Sequence, residues 1–332
     1  MNRRDFIRGS TFTGLLAGEA FGELSAARAQ QNLPVIGLLD GAWTRGLLGE
    51  VRRGLEENGF SVGRDFRAEH SGWSGREYQS DQLAVYAARL VERKVALILA
   101  FSNQAALAAK TATNATPIIF MADNHVAAAL VDRVSGPADN LTGAAILDSS
   151  LVGKRVEIAL ELAPTANLVV LVTDPTNKLA HDVELREAQA AANAFGAQLS
   201  IIAWSGERGF EPGLAALPGE RKPVLVFGGG LPFYVRDARL AYLATHYQIA
   251  GVHGFRAAVE ESGGLASFGT RLEDGAHLMG VYAARALRGE KPADLPVRQI
   301  TRTELVINVW PARSLGLQIP STLLARADEV IK

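Results

Sequence analysis

Polar side chains stand where predicted strands end, and they are the residues through which this chain could do chemistry. Ser102 and Asn103 directly follow the apolar segment VALILAF (95–101) and open a run with helical periodicity. Either side chain could cap that helix. The free N–H groups and the positive end of the helix dipole could equally hold a carboxylate. The sequence leaves both interpretations open.

Other candidates follow other strands. Asp123, at the end of TPIIFMAD (116–123), could bind a ligand ammonium group or cap the helix after it. Arg256 could hold a carboxylate through two hydrogen bonds or pair with Glu260 one turn later. The aromatic candidates could line a small-molecule cleft or pack against a neighbouring loop. The remaining candidate binding residues are Asp40, Trp43, Asn124, Thr173, Phe233 and Tyr234.

The sequence lacks the motifs of the common enzyme classes. It contains no GxSxG nucleophile motif and no Walker motif, and its six histidines form no HxH or HxxxH pair. The absence of cysteine excludes thiolate catalysis, disulfides and cysteine-ligated metal. The glycines at 228–230 lack dinucleotide-loop spacing and instead favour a sharp turn. We therefore expect a protein that is not an enzyme, with no catalytic residue, metal or cofactor.

The composition is that of an ordinary globular protein. The chain has 332 residues, of which 48% are hydrophobic and 21% charged, and its net charge is -1. This balance provides no basic surface for nucleic acid or an anionic membrane. The length is sufficient for two domains with separate cores. After residue 29 no apolar run reaches the about 20 residues of a membrane helix, so we expect a soluble mature monomer.

The N-terminus has the parts of an export signal. Arg3 and Arg4 precede a weakly apolar stretch at 10–24, and Ala27-Arg28-Ala29 fits the small-x-small cleavage rule. The segment NRRDFIR (2–8) resembles the bacterial twin-arginine signal. We therefore predict a twin-arginine-type signal peptide over residues 1–29 and export to the periplasm. A disordered basic N-terminus is the alternative.

Short apolar segments alternate with longer amphipathic ones along the rest of the chain. Strands alternating with helices of about 12 to 18 residues indicate βαβ units and parallel sheets. Two successive sets predict two doubly wound α/β lobes, with ligands bound beyond the carboxyl ends of the strands. The predicted strands cover 34–39, 65–73, 95–101, 116–123, 166–174, 197–204, 222–230 and 264–270.

Several longer segments resemble one protein family. They include ARLVERKVALILA, NLTGAAIL, GEKPADLPV and LGLQIPSTLLARADEV. From Pro34 to Lys332 the chain resembles the ABC-transporter substrate-binding proteins of the tryptophan/tyrosine-binding type, a periplasmic-binding-protein-like family. The resemblance implies a type I fold of two parallel-sheet lobes joined by a hinge. It assigns 33–143 plus about 256–297 to lobe 1, and 144–255 plus about 298–332 to lobe 2.

The resemblance also implies a function. Such a protein captures a small solute, here an amino acid or an aromatic or organic acid, and delivers it to an ABC permease in the inner membrane. Two alternatives stay open: a ligand sensor that signals to a membrane receptor, and an exported α/β enzyme with a nucleophile and base side by side in the cleft. Ala122-Asp123-Asn124 stands where relatives often carry Gly-Asp-Pro, so the ligand does not follow from the resemblance.

Overall fold

Helices and strands alternate through most of the chain in the computed structural model. The predicted signal at 1–29 lies outside the residues that the structure describes, as do Asp40, Trp43, Phe233 and Tyr234. The described residues are 33–39, 45–72, 82–132, 140–204, 207–217, 222–230 and 237–332.

The first sheet combines early strands with one late strand. It consists of β1 (Val35–Leu39), β2 (Arg67–Ser71), β3 (Leu97–Ala100), β4 (Ile118–Asp123), β5 (Leu141–Ile146) and β11 (Arg298–Ile300). All neighbouring pairs are parallel, in the order β11-β5-β4-β3-β1-β2. The strands β3, β4 and β5 are buried along their whole length, as expected for a sheet covered on both faces. Its helices are α1 (Arg45–Glu57), α2 (Leu83–Glu92), α3 (Asn103–Ala112), α4 (Asn124–Asp132) and α10 (Leu272–Leu287).

The second sheet has the order β13-β12-β10-β9-β8-β6-β7. Its strands are β6 (Leu168–Thr173), β7 (Gln198–Ala203), β8 (Pro223–Phe227), β9 (Ala250–His253), β10 (Ala266–Thr270), β12 (Thr303–Asn308) and β13 (Glu329–Ile331). Only the pair β10–β12 is antiparallel among the described strands of this sheet. Its helices are α5 (Val152–Leu162), α6 (Lys178–Ala194), α7 (Glu207–Ala215), α8 (Asp237–His246), α9 (Ala257–Glu260), α11 (Val309–Ser314) and α12 (Ser321–Arg326).

Each sheet has apolar cores on both faces. Successive side chains of a strand point to opposite faces, so neighbouring residues enter different cores. Leu99 packs in one cluster of the first sheet and Ile98 in the other. In the second sheet, Leu171 likewise packs in one cluster and Val170 in the other. The two sheets with their helices form two lobes, which confirms the predicted fold class.

The chain passes between the lobes at three places within the described residues, after β5, after β10 and after β11. Thr270 joins the first two crossings, because its Oγ1 accepts a hydrogen bond from Leu147 N and lies within hydrogen-bond distance of Leu147 O, both at 3.0 Å. The third crossing is linked to the second by a hydrogen bond that Arg271 N donates to Arg302 O at 2.9 Å. The crossings therefore lie side by side and can serve as a hinge.

Two lobe boundaries differ from the sequence prediction. Residues 256–297 were assigned to lobe 1, yet β10 pairs with β9 and β12 in the second sheet. The second crossing therefore lies at Arg271. Strand β11 pairs with β5, so the third crossing lies after Ile300 rather than at 297. A strand's own sequence does not reveal its partner strand, which is why the predicted boundaries shift. Among the helices of the described residues, none combines the length and apolarity that crossing a membrane requires.

Candidate functional site

The carboxyl edges of the two parallel sheets lie near each other. Helix α6 of the second lobe packs against α4 of the first and against the 3-10 turn Ser149–Leu151 that follows the first crossing. Helices α3, α4 and α6 each begin just after a strand. Ligands of open α/β sheets bind outside the carboxyl ends of the strands. The candidate site is therefore the space between these helix N-termini.

Ser102 and Asn103 occupy the start of α3, and both use their acceptor atoms within the protein. Ser102 Oγ accepts a hydrogen bond from Ala105 N at 3.1 Å, so it caps the helix. Asn103 Oδ1 accepts from Asp123 N at 2.7 Å, which joins the ends of β3 and β4. The Ser102 hydroxyl hydrogen and the Asn103 amide hydrogens have no partner among the described residues. Capping therefore leaves donors for a ligand oxygen.

The carboxylate of Asp123 is largely occupied. Its Oδ1 accepts from His125 N at 3.0 Å, which caps α4. Its Oδ2 accepts from both the backbone N and the hydroxyl of Ser149, each at 2.8 Å. These three bonds fill most of the about four acceptor positions of a carboxylate. Asp123 therefore caps α4, as one of the two alternatives predicted, and it also links α4 to the first crossing. Little acceptor capacity remains for a ligand ammonium group.

A serine and a histidine meet between the lobes. The Ser150 hydroxyl lies 3.1 Å from His125 Nε2 and 3.4 Å from Asn124 Oδ1. A hydroxyl beside an imidazole is the pairing of nucleophile and base that the enzyme alternative requires, but the His125 ring has no second hydrogen-bond partner among the described residues. A catalytic triad needs a third group that orients the imidazole. We therefore interpret the contact as a link between α4 and the start of the second lobe.

Thr173 and Arg256 are both engaged inside the second lobe. The hydroxyl of Thr173 donates to Glu184 and lies 3.0 Å from His181 Nδ1, so Thr173 anchors α6. Arg256 binds three carboxylates: Glu260, Glu304 at 2.7 Å and Glu329 at 2.6 Å. The hydrogen bond with Glu260 leads the causes that raise the pKa of Arg256. Arg256 therefore pairs with Glu260, which is the second of the two alternatives that the sequence left open. A ligand carboxylate would have to compete with all three protein carboxylates.

A fully buried arginine beneath the site was missed by the sequence analysis. Arg155 Nη2 donates to Asp148 at 2.6 Å, and Nε and Nη1 donate to the carbonyls of Phe268 and Phe227 at 2.8 and 3.2 Å. Arg155 thus joins the carboxyl end of β8 to the middle of β10. Burial raises the pKa of Asp148, although Arg155 opposes the shift. The available signal was its helical spacing from apolar residues of α5, since Arg155 lies three residues after Val152 and four before Ala159.

Two of the three glycines after β8 make room for buried carboxylates. Gly229 N donates to Glu184 Oε1 at 2.7 Å. A Cβ on residue 228 would overlap Glu184, and one on residue 229 would overlap Asp148. Only Gly230, with a φ of +114°, has the backbone conformation of the expected turn. Burial raises the pKa of Glu184 to about 8, because the charged form loses its hydration.

Three polar side chains at the helix starts have buried atoms without a hydrogen-bond partner. They are Gln104 in the first turn of α3, and Asp174 and Asn177 just before α6. Buried polar groups are normally paired, so such atoms can receive polar groups of a small molecule. Within the ranges that the structure describes, no three His, Asp or Glu side chains are arranged to hold a metal ion.

Comparison with known proteins places the chain in a family. Residues 48–331 match the model of the ABC transporter substrate binding protein family. The tyrosine-binding protein of Clostridioides difficile (strain R20291) is 24% identical over 270 residues, covering 80% of this chain and 75% of the relative.

Solved structures share the fold. The ABC domain of Streptococcus pneumoniae in complex with L-Trp matches with a TM-score of 0.79 and 21% identity, over 90% of this chain and 100% of that one. A conserved domain protein of Vibrio cholerae matches with a TM-score of 0.75 and 22% identity, with the same coverage. The match of the family model over most of the chain agrees with the resemblance seen in its sequence. This chain belongs to the family of ABC transporter substrate-binding proteins.

Proposed function

We propose that this protein captures an amino acid or a related aromatic or organic acid between its lobes and delivers it to an ABC permease of the inner membrane. The observation that carries the proposal is that α3, α4 and α6 each begin beyond the carboxyl end of a strand, with unpaired polar groups at the starts of α3 and α6, while α4 and α6 pack together across two hinged lobes. Family membership supports the role in transport. The name of the Clostridioides difficile relative and the L-Trp bound in the Streptococcus pneumoniae structure favour an aromatic amino acid.

The described part of the site favours binding of a carboxylate by neutral donors. The positive end of α3 and the free donors of Ser102 and Asn103 suit a negative group. Arg155 and Arg256 already hold protein carboxylates. Helix ends and side-chain donors, rather than these arginines, therefore receive the ligand carboxylate in this proposal.

Calorimetric titration of the purified protein with L-tryptophan and L-tyrosine tests the function. We expect binding of at least one, and a weakening by about 1–3 kcal/mol, or roughly 5- to 150-fold, when Ser102 and Asn103 are both replaced by alanine. The reason is that the ligand carboxylate loses two donors. Both proteins must be shown to be folded by circular dichroism, since the cap of α3 is also lost.

Asn308→Ala is the matched control. Asn308 caps α11 by accepting a hydrogen bond from Trp310 N at 3.0 Å, and α11 begins at the end of β12, which runs antiparallel to β10. This cap therefore lies at the opposite edge of the second sheet. We expect lower stability and unchanged affinity. Equal affinity of the Ser102/Asn103 double variant and the unaltered protein would show that these residues are only structural. If neither amino acid binds, the proposed ligand class is wrong.

We further propose that residues 1–29 direct the protein to the periplasm by the twin-arginine route, where the mature form acts as a soluble monomer. Replacing Arg3 and Arg4 with lysine is expected to leave uncleaved precursor in the cytoplasm, because the arginine pair is the defining element of that signal. Immunoblots of periplasmic and cytoplasmic fractions measure the outcome. Normal delivery of the variant to the periplasm would contradict the proposed route.

A further inference from the structure

Asp174, directly after β6, has one occupied and one unoccupied carboxylate oxygen. Its Oδ1 accepts hydrogen bonds from the backbone N and the hydroxyl of Thr176, at 2.9 and 2.7 Å. Its Oδ2 is buried without a hydrogen-bond partner, and the residue as a whole is 3% exposed. A buried carboxylate is costly unless it is paired. This oxygen is therefore suited to a positively charged partner.

The described residues around Asp174 do not provide that positive charge. Lys178, one turn into α6, pairs with Asp182 at 2.6 Å. His181 contacts Thr173, and the buried Arg155 pairs with Asp148. Each neighbouring basic group thus has another partner. A cation that reaches Asp174 Oδ2 would come from a bound molecule in the cleft.

Asn177 provides a complementary group three residues later. Its Nδ2 donor is also buried without a partner, and the residue is 7% exposed. Its backbone N donates to Asp174 O at 3.2 Å, which holds both residues in one turn before the seventeen-residue helix α6. The positive end of α6 adds to the donor character at this position. An unpaired acceptor and an unpaired donor therefore belong to the same turn.

This turn lies at the carboxyl edge of the second sheet, directly after β6. Helix α6 packs against α4 of the first lobe and against the turn Ser149–Leu151. A ligand that enters between the lobes would thus meet a carboxylate oxygen and an amide donor together. A free α-amino acid carries an ammonium group and a carboxylate on one carbon atom, which matches this arrangement. An organic acid without the amino group would leave the Asp174 oxygen unpaired.

We propose that Asp174 binds the α-ammonium group of the ligand, and that the protein therefore selects free α-amino acids over the corresponding deaminated acids. The proposal rests on the proposed function as a solute-binding protein and narrows its ligand class. It assigns to Asp174 the role that the sequence suggested for Asp123, whose oxygens are engaged by His125 and Ser149. Asn177 is then placed to donate to the ligand carboxylate.

The test compares each amino acid with its analogue that lacks the amino group. The probes are L-tryptophan with indole-3-propionate, and L-tyrosine with 3-(4-hydroxyphenyl)propionate, titrated into the unaltered protein and into Asp174→Asn. The amide preserves an acceptor for Thr176 but removes the charge. We expect the unaltered protein to prefer an amino acid at least 10-fold. Asp174→Asn should weaken amino acid binding about 10- to 100-fold and change binding of the analogue less than about 3-fold.

Glu187→Gln is the matched control, because it removes a partly exposed carboxylate from the same helix without freeing Lys178. It should leave all affinities unchanged. If Asp174→Asn weakens both members of a pair equally, Asp174 only orders its turn, and the proposal is wrong while the binding function stands. If the variant does not fold, the unaltered protein still decides: equal affinity for amino acid and analogue refutes the proposal. Failure of every probe to bind shows instead that the ligand class proposed above is wrong.

Discussion

Replacement of Arg155 by leucine is expected to lower the free energy of unfolding by about 3–5 kcal/mol, since removing one partner of a buried ion pair leaves the other uncompensated. Arg155 is fully buried, and its guanidinium binds Asp148 and the carbonyls of Phe227 and Phe268. Leucine fills part of the space but donates to none of them. Urea denaturation at pH 7, followed by circular dichroism, measures the change.

Two further variants make this prediction specific. Arg326 pairs with Glu161 at 3.0 Å on the surface, and its side chain is 46% exposed, so Arg326→Leu should cost less than about 1 kcal/mol. Combining Arg155→Leu with Asp148→Asn should restore a large part of the lost stability, because the amide removes the unpaired charge. A loss below about 1 kcal/mol for Arg155→Leu alone would show that this network does not hold the second lobe together.

The stability of the protein is expected to fall by about 2 kcal/mol between pH 6.5 and pH 8 because of Glu184. Burial raises the pKa of Glu184 from 4.5 to about 8, so the folded state keeps a proton that the unfolded state releases. The stabilising effect is complete below pH 4.5 and is lost as the pH rises through 8. Denaturant titrations at a series of pH values measure this slope.

His253 has the opposite effect at lower pH. Burial, with a smaller contribution from Arg155, lowers the pKa of His253 from 6.5 to about 3. The unfolded state therefore binds the extra proton first, and stability is lost as the pH falls from 6.5 toward 3. Between about pH 4.5 and 6.5 the slopes from Glu184 and His253 cancel. We therefore expect maximum stability across that interval.

Glu184→Gln isolates the carboxyl group. The glutamine amide can accept from Gly229 N and donate to the Thr173 hydroxyl, so it reproduces the contacts of the protonated acid without titrating. The variant should match the unaltered protein near pH 5 and exceed its stability by about 3–4 kcal/mol at pH 8. Glu187→Gln, on the same helix but 39% exposed at its side chain, should leave the slope unchanged. The same alkaline loss in Glu184→Gln would contradict the assignment.

These buried groups bear on binding because they lie beneath the candidate site. Arg155 joins the end of β8 to the middle of β10, and Glu184 binds Gly229 just after β8. Glu184 also binds Thr173, the residue before Asp174. Such buried support would keep the candidate binding groups of the second lobe in position.

The local sequence pattern alone predicted the fold class and most of the helices and strands. Apolar segments such as 95–101 and 166–174 predicted buried strands, and β3 and β6 lie within them. The reason is physical: a parallel strand covered by helices on both faces must be apolar on both sides, and that requirement is visible in the segment itself. The cap at Ser102 is likewise a local interaction, made with Ala105 three residues later.

Tertiary structure decided the roles of the polar residues, because their partners are far away in sequence. Asp123 is engaged by Ser149, and Arg256 by Glu304 and Glu329, over separations that no local pattern encodes. The same holds for β10, whose lobe depends on its partner strands. Asp174 became the stronger binding candidate only when its neighbours were known. The sequence gives the type of each side chain, but whether its hydrogen-bonding atoms already have partners in the protein depends on the folded chain around it.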